Sequence, residues 1–140
     1  IEATFKPSDK WNIVANYSYV DGEVTTVSPS GKDTSYFNLY RRPKNFASTT
    51  VGYQLSKRLY VSAGFKWIDK RLDVYSNPIT FAREFKNLDS YYNVDLYAEY
   101  KIGAFKIFAD FRNITDQEYF DLYGYNSRRF NFMGGLAVSL

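Results

Sequence analysis

Apolar and polar residues alternate along most of this chain. In the stretch YYNVDLYAEY, every second residue from Tyr92 to Tyr100 is apolar, and the residues between them are mostly polar. An alternation of period two predicts a β-strand with one dry face and one polar face. Seven segments share this pattern, and they cover residues 1–5, 11–19, 47–55, 59–67, 92–100, 105–111 and 130–140. No segment repeats an apolar period of 3.6, so the sequence predicts an all-β protein without helices.

The connections between these segments alternate between short and long. Residues 7–10, 56–57 and 102–103 predict tight turns, and they are separated by long polar stretches at residues 21–40, 69–89 and 115–127. Short turns on one side and longer loops on the other are typical of an antiparallel transmembrane β-barrel of the outer membrane. The turns of a soluble sandwich are more even in length, and a sandwich with a Tyr-rich core is the alternative.

Aromatic residues occur at both ends of the predicted dry faces. If the short turns mark the inner side, the inner ends carry Trp11, Tyr53, Tyr100 and Phe105, and the outer ends carry Tyr19, Trp67, Tyr92, Phe111 and Phe132. Aromatic rings favour the membrane–water interface, so these residues are predicted to form a membrane girdle. The nine residues from Trp11 to Tyr19 match a tilted spanning strand of about 9–11 residues. Charges on the opposite face are costly against lipid and are expected to face a lumen.

Composition excludes several functional classes. The chain has 140 residues, of which 20% are aromatic, more than a water-soluble domain usually contains. It has no Cys and no His, so it lacks thiolates and the commonest general base and metal ligand. The net charge of +3 is too small to indicate nucleic-acid binding. No apolar run approaches the roughly 18 residues of a spanning helix. We therefore expect no catalytic residue, no metal site and no cofactor.

The number of predicted strands matters for the closure of a barrel. Seven is odd, whereas bacterial single-chain barrels have an even number of strands. An open sheet edge in lipid would leave backbone groups unpaired. We therefore expect either further strands before Ile1 or one more strand inside a loop. Tyr36, Asn38 and Tyr40 are candidates for an extension of the third segment.

About the last 30 residues resemble the end of a TonB-dependent outer-membrane receptor. The resemblance rests on Asn113-Ile114-Thr115-Asp116, Glu118-Tyr119, Tyr123-Gly124-Tyr125, Arg129 and a closing amphipathic strand. Arg41-Arg42-Pro43-Lys44 and Leu88-Asp89-Ser90-Tyr91, each before a strand, resemble the same family, especially its vitamin B12 and siderophore branch. Two features depart from the family pattern: Ser127-Arg128-Arg129 lacks the Gly before Arg, and the chain ends in Leu140 instead of an aromatic residue.

The resemblance implies that residues 1–140 are the C-terminal segment of a barrel of about 22 strands. The plug domain and the N-terminal strands would lie outside this chain. The implied function is active uptake of a ferric siderophore, haem or a cobalamin across the bacterial outer membrane, driven by the TonB complex through regions not in this chain. The other implied partners are outer-membrane lipid, lipopolysaccharide and the barrel-assembly machinery. The implied assembly signal comprises Phe132, Leu136, Val138 and Leu140.

Several outer-loop residues are candidates for ligand binding, namely Arg41, Arg42, Tyr119, Tyr123 and Tyr125. Guanidinium groups make forked bonds to carboxylates and phosphates, so the two arginines suit an anionic ligand. They equally suit lipopolysaccharide phosphates or the bracing of a loop, and we expect a structural or lipid role. The tyrosines suit a planar ligand or the girdle.

Other charged residues have simpler interpretations. Asp116 and Glu118 are a possible cation-binding pair, although a solvated loop is the more common arrangement. On the polar strand faces, Asp95, Glu99 and Arg112 are expected to form a cross-strand lattice that packs against the plug.

Three other functions stay open. The chain could be a small complete barrel of eight strands with a structural or adhesive role, which an eighth strand would favour. An outer-membrane enzyme is disfavoured because such enzymes generally use His. A soluble sugar-binding β-sandwich would be recognised by its solubility without detergent.

Overall fold

The computed structural model describes residues 1–22, 24–27, 30–31, 33–36 and 40–139. These residues form the strands β1 (Glu2–Phe5), β2 (Trp11–Tyr19), β3 (Val24–Val27), β4 (Asp33–Tyr36), β5 (Asn45–Gln54), β6 (Leu59–Ile68), β7 (Arg71–Ser76), β8 (Arg83–Leu88), β9 (Tyr91–Ile102), β10 (Phe105–Arg112), β11 (Phe120–Leu122), β12 (Tyr125–Asn126) and β13 (Asn131–Val138). Within the described ranges, no helix is long and apolar enough to cross a membrane.

Seven of these strands form one antiparallel sheet, in the order β1-β2-β5-β6-β9-β10-β13. They are the seven segments that the alternation predicts, so the predicted all-β antiparallel architecture is confirmed. The boundaries differ by a few residues, since the third segment begins at Asn45 and the fifth extends to Ile102. Leu140, at the end of the seventh segment, lies outside the described residues.

The register places the predicted dry faces side by side. One row of directly opposed residues crosses all seven strands and consists of Phe5, Ile13, Val51, Ala63, Leu96, Phe111 and Phe132. The next row, on the other face, contains Thr50, Gly64 and Asp95. Because the side-chain period is two, a slip of one residue would exchange these faces. The sheet therefore has one continuous apolar face and one polar face.

The residues of the predicted girdle lie on the apolar face, and several meet across strands. The rings of Trp11 and Tyr53 are 4.4 Å apart, and those of Phe111 and Phe132 are 6.3 Å apart. By register, the same face also carries Tyr19, Trp67, Tyr92, Tyr100 and Phe105. These rings sit towards the two ends of the strands, as the sequence predicts, and their contact with lipid is a prediction.

A two-residue turn joins β9 to β10. Ile102 pairs with Phe105, so only Gly103 and Ala104 form the connection. Gly103 has a φ of 58°, in the left-handed region that glycine adopts without steric cost. Hairpins of this length require a positive φ at the first turn residue, which explains the glycine at this position.

The three long polar stretches each contain a short hairpin, which the alternation of period two did not predict. β3 pairs with β4, β7 with β8, and β11 with β12, each as a separate two-stranded sheet. Tyr36 ends β4 opposite Val24 and does not continue β5. Asn38 lies outside the described residues, and Tyr40 lies in a turn with its ring 5.9 Å from that of Phe85.

The packing of two adjacent glycines in β13 gives a matched test of the sheet. A Cβ on Gly135 would come within 2.5 Å of the Phe108 ring, whereas a Cβ on Gly134 would meet only the Phe108 carbonyl oxygen at 3.5 Å. We expect Gly135→Ala to lower the free energy of unfolding by about 1–3 kcal/mol, because the Phe108 ring must move. Gly134→Ala, the control, should change it much less. Urea unfolding followed by tryptophan fluorescence measures both, and equal losses would contradict this packing.

Candidate functional site

The hairpins at the long-loop end of the sheet bury side chains that are mostly polar. Buried residues of these hairpins and of the adjoining strand ends are Arg71, Asp73, Leu88, Tyr91, Asn93 and Asn113. Buried polar groups need hydrogen-bond partners to offset the loss of water. This end of the molecule is therefore held by a hydrogen-bond network and not by an apolar core.

Asp73 of β7 joins three segments of this network. Its side chain is 1% exposed, and it accepts hydrogen bonds from the Arg41 side chain, from the Val74 N–H (2.7 Å) and from the Tyr123 N–H (2.7 Å). Burial alone would raise the pKa of Asp73, but the hydrogen bonds from Tyr123, Arg41 and Val74 outweigh it and lower the pKa below its ordinary value of 3.8. The carboxylate is therefore ionised at neutral pH.

Arg71, two residues earlier on the same strand, makes a second junction. Its Nη2 donates to the Phe120 carbonyl oxygen (2.6 Å) and to Asp121 Oδ1 (2.9 Å). The Tyr91 hydroxyl donates to the same Asp121 oxygen (2.8 Å), and the Arg71 guanidinium lies 5.3 Å from the centre of the Tyr91 ring. The hairpin β11–β12 is thereby tied to both β7 and β9.

Pairs of tyrosine rings line this junction. The rings of Tyr91 and Tyr119 stack at 3.8 Å with an angle of 11° between their planes. Tyr75 and Tyr123 have ring centres 4.6 Å apart. The Tyr75 hydroxyl donates to Glu84 (2.5 Å), and this hydrogen bond is the main reason that the pKa of Tyr75 rises to about 12. Tyr75 is therefore a neutral hydrogen-bond donor at physiological pH.

A cavity of about 220 Å³ opens between β8 and the segment leading into β11–β12. Its walls include the rings of Tyr91, Tyr119 and Tyr123 together with the charged residues Lys86 and Glu118. Lys86 Nζ lies 5.5 Å from the centre of the Tyr123 ring. Flat aromatic walls and a nearby cation suit a planar ligand that carries negative charge. The volume is below the 300–1,000 Å³ or so of a typical small-molecule site, so the cavity is suited to part of a larger ligand.

The motif that begins at Asn113 is a structural clamp. The Asn113 side chain donates to the Gln117 carbonyl oxygen (2.8 Å) and accepts from the Gln117 N–H (3.0 Å). Asp116 accepts from Arg129 Nε (2.9 Å) and Nη2 (2.7 Å), and Glu118 lies 3.1 Å from Arg129 Nη1. The possible cation pair Asp116 and Glu118 thus binds a guanidinium group of the same chain.

Charged residues on the polar face of the sheet contact one another across strands. Arg112 lies 3.1 Å from Asp95 on the neighbouring strand and 2.7 Å from Asp110 on its own strand. Glu99 lies 3.4 Å from Lys106 on the neighbouring strand. These contacts match the expected cross-strand lattice, and its packing against a plug is a prediction.

The structure separates the five candidate ligand residues. Tyr119 and Tyr123 line the cavity of about 220 Å³ between β8 and the segment before β11, which we call the aromatic cavity. Arg41 is bound to Asp73, which agrees with the expected bracing of a loop. Arg42 is exposed beside a different cavity, and Tyr125 is 73% exposed and outside the aromatic one. Across the described residues, no group of three or more acidic side chains is arranged to hold a metal ion.

Sequence reasoning missed the residues at the centre of this network, namely Arg71, Asp73, Tyr91 and Asp121. The sequence does carry a local signal for Arg71 and Asp73. Residues 71–76 read RLDVYS, in which Leu72 and Val74 alternate with charged or polar neighbours. That pattern indicates a short strand whose Arg71 and Asp73 share one face. It does not indicate which distant residues meet that face.

The chain is similar to other proteins in sequence and in structure, although no family model matches it. The probable TonB-dependent siderophore receptor PiuA of Acinetobacter baumannii is 32% identical over 122 residues, which are 81% of this chain and 16% of that receptor. The ferripyoverdine receptor of the Pseudomonas aeruginosa outer membrane matches 96% of this chain and 18% of its own, with 21% identity and a TM-score of 0.72. The closed form of the E. coli ferric-catecholate import receptor Fiu matches 96% of this chain and 19% of its own, with 16% identity and a TM-score of 0.73.

These likenesses differ in what they establish. The chain spans less than a fifth of the length of each of these relatives. The two solved structures share the arrangement of strands at low identity and so show the fold alone. All three relatives are described as receptors, and none is described as an enzyme.

Removing the charge of Asp73 tests the loop network. We expect Asp73→Asn to lower the free energy of opening the hairpin β11–β12 by about 3 kcal/mol. Arg41 loses its counter-charge, and the amide group of the new side chain faces N–H donors. The backbone amide of Tyr123 should then exchange with solvent roughly 100-fold faster in hydrogen-exchange measurements. The control is Asp89→Asn, at an exposed carboxylate on the same end, which should leave this exchange unchanged. Unaltered exchange at Tyr123 in Asp73→Asn would show that the carboxylate does not hold the hairpin.

Proposed function

We propose that this chain, a segment of the β-barrel of a TonB-dependent receptor, forms part of an outer-membrane channel that takes up a ferric siderophore. The observation that carries the proposal is its sequence likeness, over 122 residues, to a protein described as a probable siderophore receptor. The solved relatives are described as binding or importing ferripyoverdine and ferric catecholates. We therefore favour a siderophore over haem or a cobalamin as the nutrient.

The seven-stranded sheet serves as the last third of a wall of about 22 strands. β1 pairs only with β2, and β13 only with β10, among the described strands. In hydrocarbon, unpaired edge groups would each cost several kcal/mol, so further strands of the same barrel would pair with both edges. A plug domain outside these residues fills the lumen, and the TonB complex supplies the energy through it.

The apolar face contacts the lipid of the bacterial outer membrane. Aliphatic residues fill the middle of this face, and the aromatic girdle lies at the interfaces. Phe132, Leu136 and Val138 of β13 are each at least half exposed on it and belong to the signal for the barrel-assembly machinery. Leu140, the last residue of that signal, lies outside the described residues.

The aromatic cavity provides an early contact for the siderophore at the outer mouth. Tyr119 and Tyr123 offer flat surfaces, and Lys86 offers a positive charge. Asp73 holds the backbone of Tyr123, and the Tyr91 ring and Asn93 hold Tyr119, so these walls are formed before the ligand arrives. A preformed wall lowers the ordering cost of binding.

A pair of lysine substitutions on adjacent residues tests the membrane orientation. Val51 lies on the apolar face and Thr50 on the polar face, near Asp95 and Asp110. We expect Val51→Lys to destabilise the receptor folded in lipid vesicles by about 2–4 kcal/mol, the cost of Lys near the bilayer midplane. Thr50→Lys should have little effect, because its ammonium faces carboxylates in the lumen. Equal stabilities of the two variants in vesicles would argue against a lipid-facing sheet.

Substitution of Tyr123 in the full-length receptor tests the ligand cavity. We expect Tyr123→Ala to weaken binding of the cognate ferric siderophore about tenfold, since the aromatic wall is lost while the backbone N–H that donates to Asp73 is kept. Tyr123→Phe, which keeps the ring, should bind nearly as well as the unaltered receptor. Quenching of intrinsic fluorescence by ferric siderophores measures the affinity.

Uptake in cells tests the function itself. Iron-starved bacteria that lack the gene for this receptor should lose energy-dependent uptake of one ferric siderophore and regain it when the gene is restored. Haem and cobalamin uptake, measured in the same strains, are the controls. Loss of cobalamin or haem uptake with normal siderophore uptake would reject the proposed substrate class.

A further inference from the structure

A second cavity at the long-loop end has a different chemical character. It measures about 170 Å³ and is lined by Arg42, Lys44, Asp69, Lys70, Arg71, Leu72 and Asn87, from the segment leading into β5, from the segment 69–72 and from β8. We propose that this basic cavity binds a phosphate-class oxyanion, at a site separate from the aromatic cavity.

Two of the four cations around the basic cavity have no carboxylate partner among the described residues. Its single carboxylate, Asp69, already accepts hydrogen bonds from Asn45 Nδ2 (2.7 Å) and from the Lys70 N–H (2.8 Å). Lys44 is paired with Asp21 at 3.0 Å. Arg42 and Lys70 have no carboxylate partner in the part of the chain that the structure describes. Uncompensated cations around a concave surface attract an anion.

Arg71 supplies a second, independent observation. Its side chain is 3% exposed, and Asp121 and the Phe120 carbonyl oxygen bind only Nη2. Nη1 is buried and has no hydrogen-bond partner among the described residues. A buried donor on a charged group is costly to leave unpaired, by more than about 1–3 kcal/mol. Arg71 is also one of the residues that line the basic cavity, so this unpaired donor belongs to its lining.

The size and lining of the basic cavity favour a compact, multiply charged anion. At about 30 Å³ for each water molecule, it has room for roughly six waters, enough for a tetrahedral phosphate group. Guanidinium and ammonium groups both bind phosphate well. No aromatic residue lines this cavity, unlike the aromatic one, so a planar ligand has nothing to stack on here. The phosphate could belong to a soluble polyphosphate or to a lipid headgroup.

The test uses the full-length receptor in a zwitterionic detergent, titrated with pyrophosphate in a calorimeter. Lys70→Gln removes one exposed cation of the basic cavity, and Lys57→Gln removes an exposed cation from the short turn between β5 and β6, at the other end of the sheet. We expect Lys70→Gln to weaken pyrophosphate binding about tenfold, the effect of one charge-assisted contact, and Lys57→Gln to leave it unchanged. Ferric-siderophore affinity, measured on the same samples, reports that each variant is folded.

A parallel arm distinguishes the source of the phosphate. Lipopolysaccharide with and without its phosphate groups is added in mixed micelles to the same three proteins. If lipopolysaccharide binds only with its phosphate groups, Lys70→Gln weakens that binding and pyrophosphate does not bind measurably, the site belongs to a lipid headgroup. If pyrophosphate binds, Lys70→Gln weakens that binding and lipopolysaccharide shows no phosphate-dependent binding, the site belongs to a soluble anion. Absence of binding in both arms, or equal weakening by Lys57→Gln, would overturn the proposal whatever the outcome of the siderophore measurements.

Discussion

The cross-strand register is the constraint on which the rest of this molecule depends. Each strand carries apolar and polar residues in alternation, and backbone pairing aligns the alternations of seven strands. Ile13, Val51 and Ala63 stand opposite one another only in this register. A shift of one residue in any strand would place charges such as Asp95 among them. A sheet with one apolar and one charged face can separate hydrocarbon from a lumen, which is what a barrel wall requires.

The loop end is organised by buried charge instead of apolar packing. Asp73 and Arg71 lie on one face of β7, and each binds the hairpin β11–β12 through a different set of hydrogen bonds. Hydrogen bonds fix the geometry of the groups they join, because each donor must point at its acceptor. The hairpins are therefore positioned by directional contacts, and the tyrosine rings that they carry are held in place.

Two cavities with different chemistry result from this arrangement. The aromatic cavity has ring walls and one nearby lysine, whereas the basic cavity has four cationic side chains and no ring. Arg71 connects them, since one of its nitrogens ties down the hairpin that supplies Phe120 to the first cavity while the residue lines the second. Arg71 thus helps to position a wall of one cavity and belongs to the lining of the other.

The sequence by itself determined the seven sheet strands, their antiparallel order and the two faces, because a period of two is a local property that each segment carries. It also contained the motif at Asn113 and the aromatic ends of the strands. Only the tertiary structure decided which side chains meet at the loop end. Arg41 and Tyr123 reach Asp73 from 32 and 50 residues away, and local alternation holds no information about contacts at such separations. The hairpins were missed because their strands have only two to six residues, too few for a clear alternation.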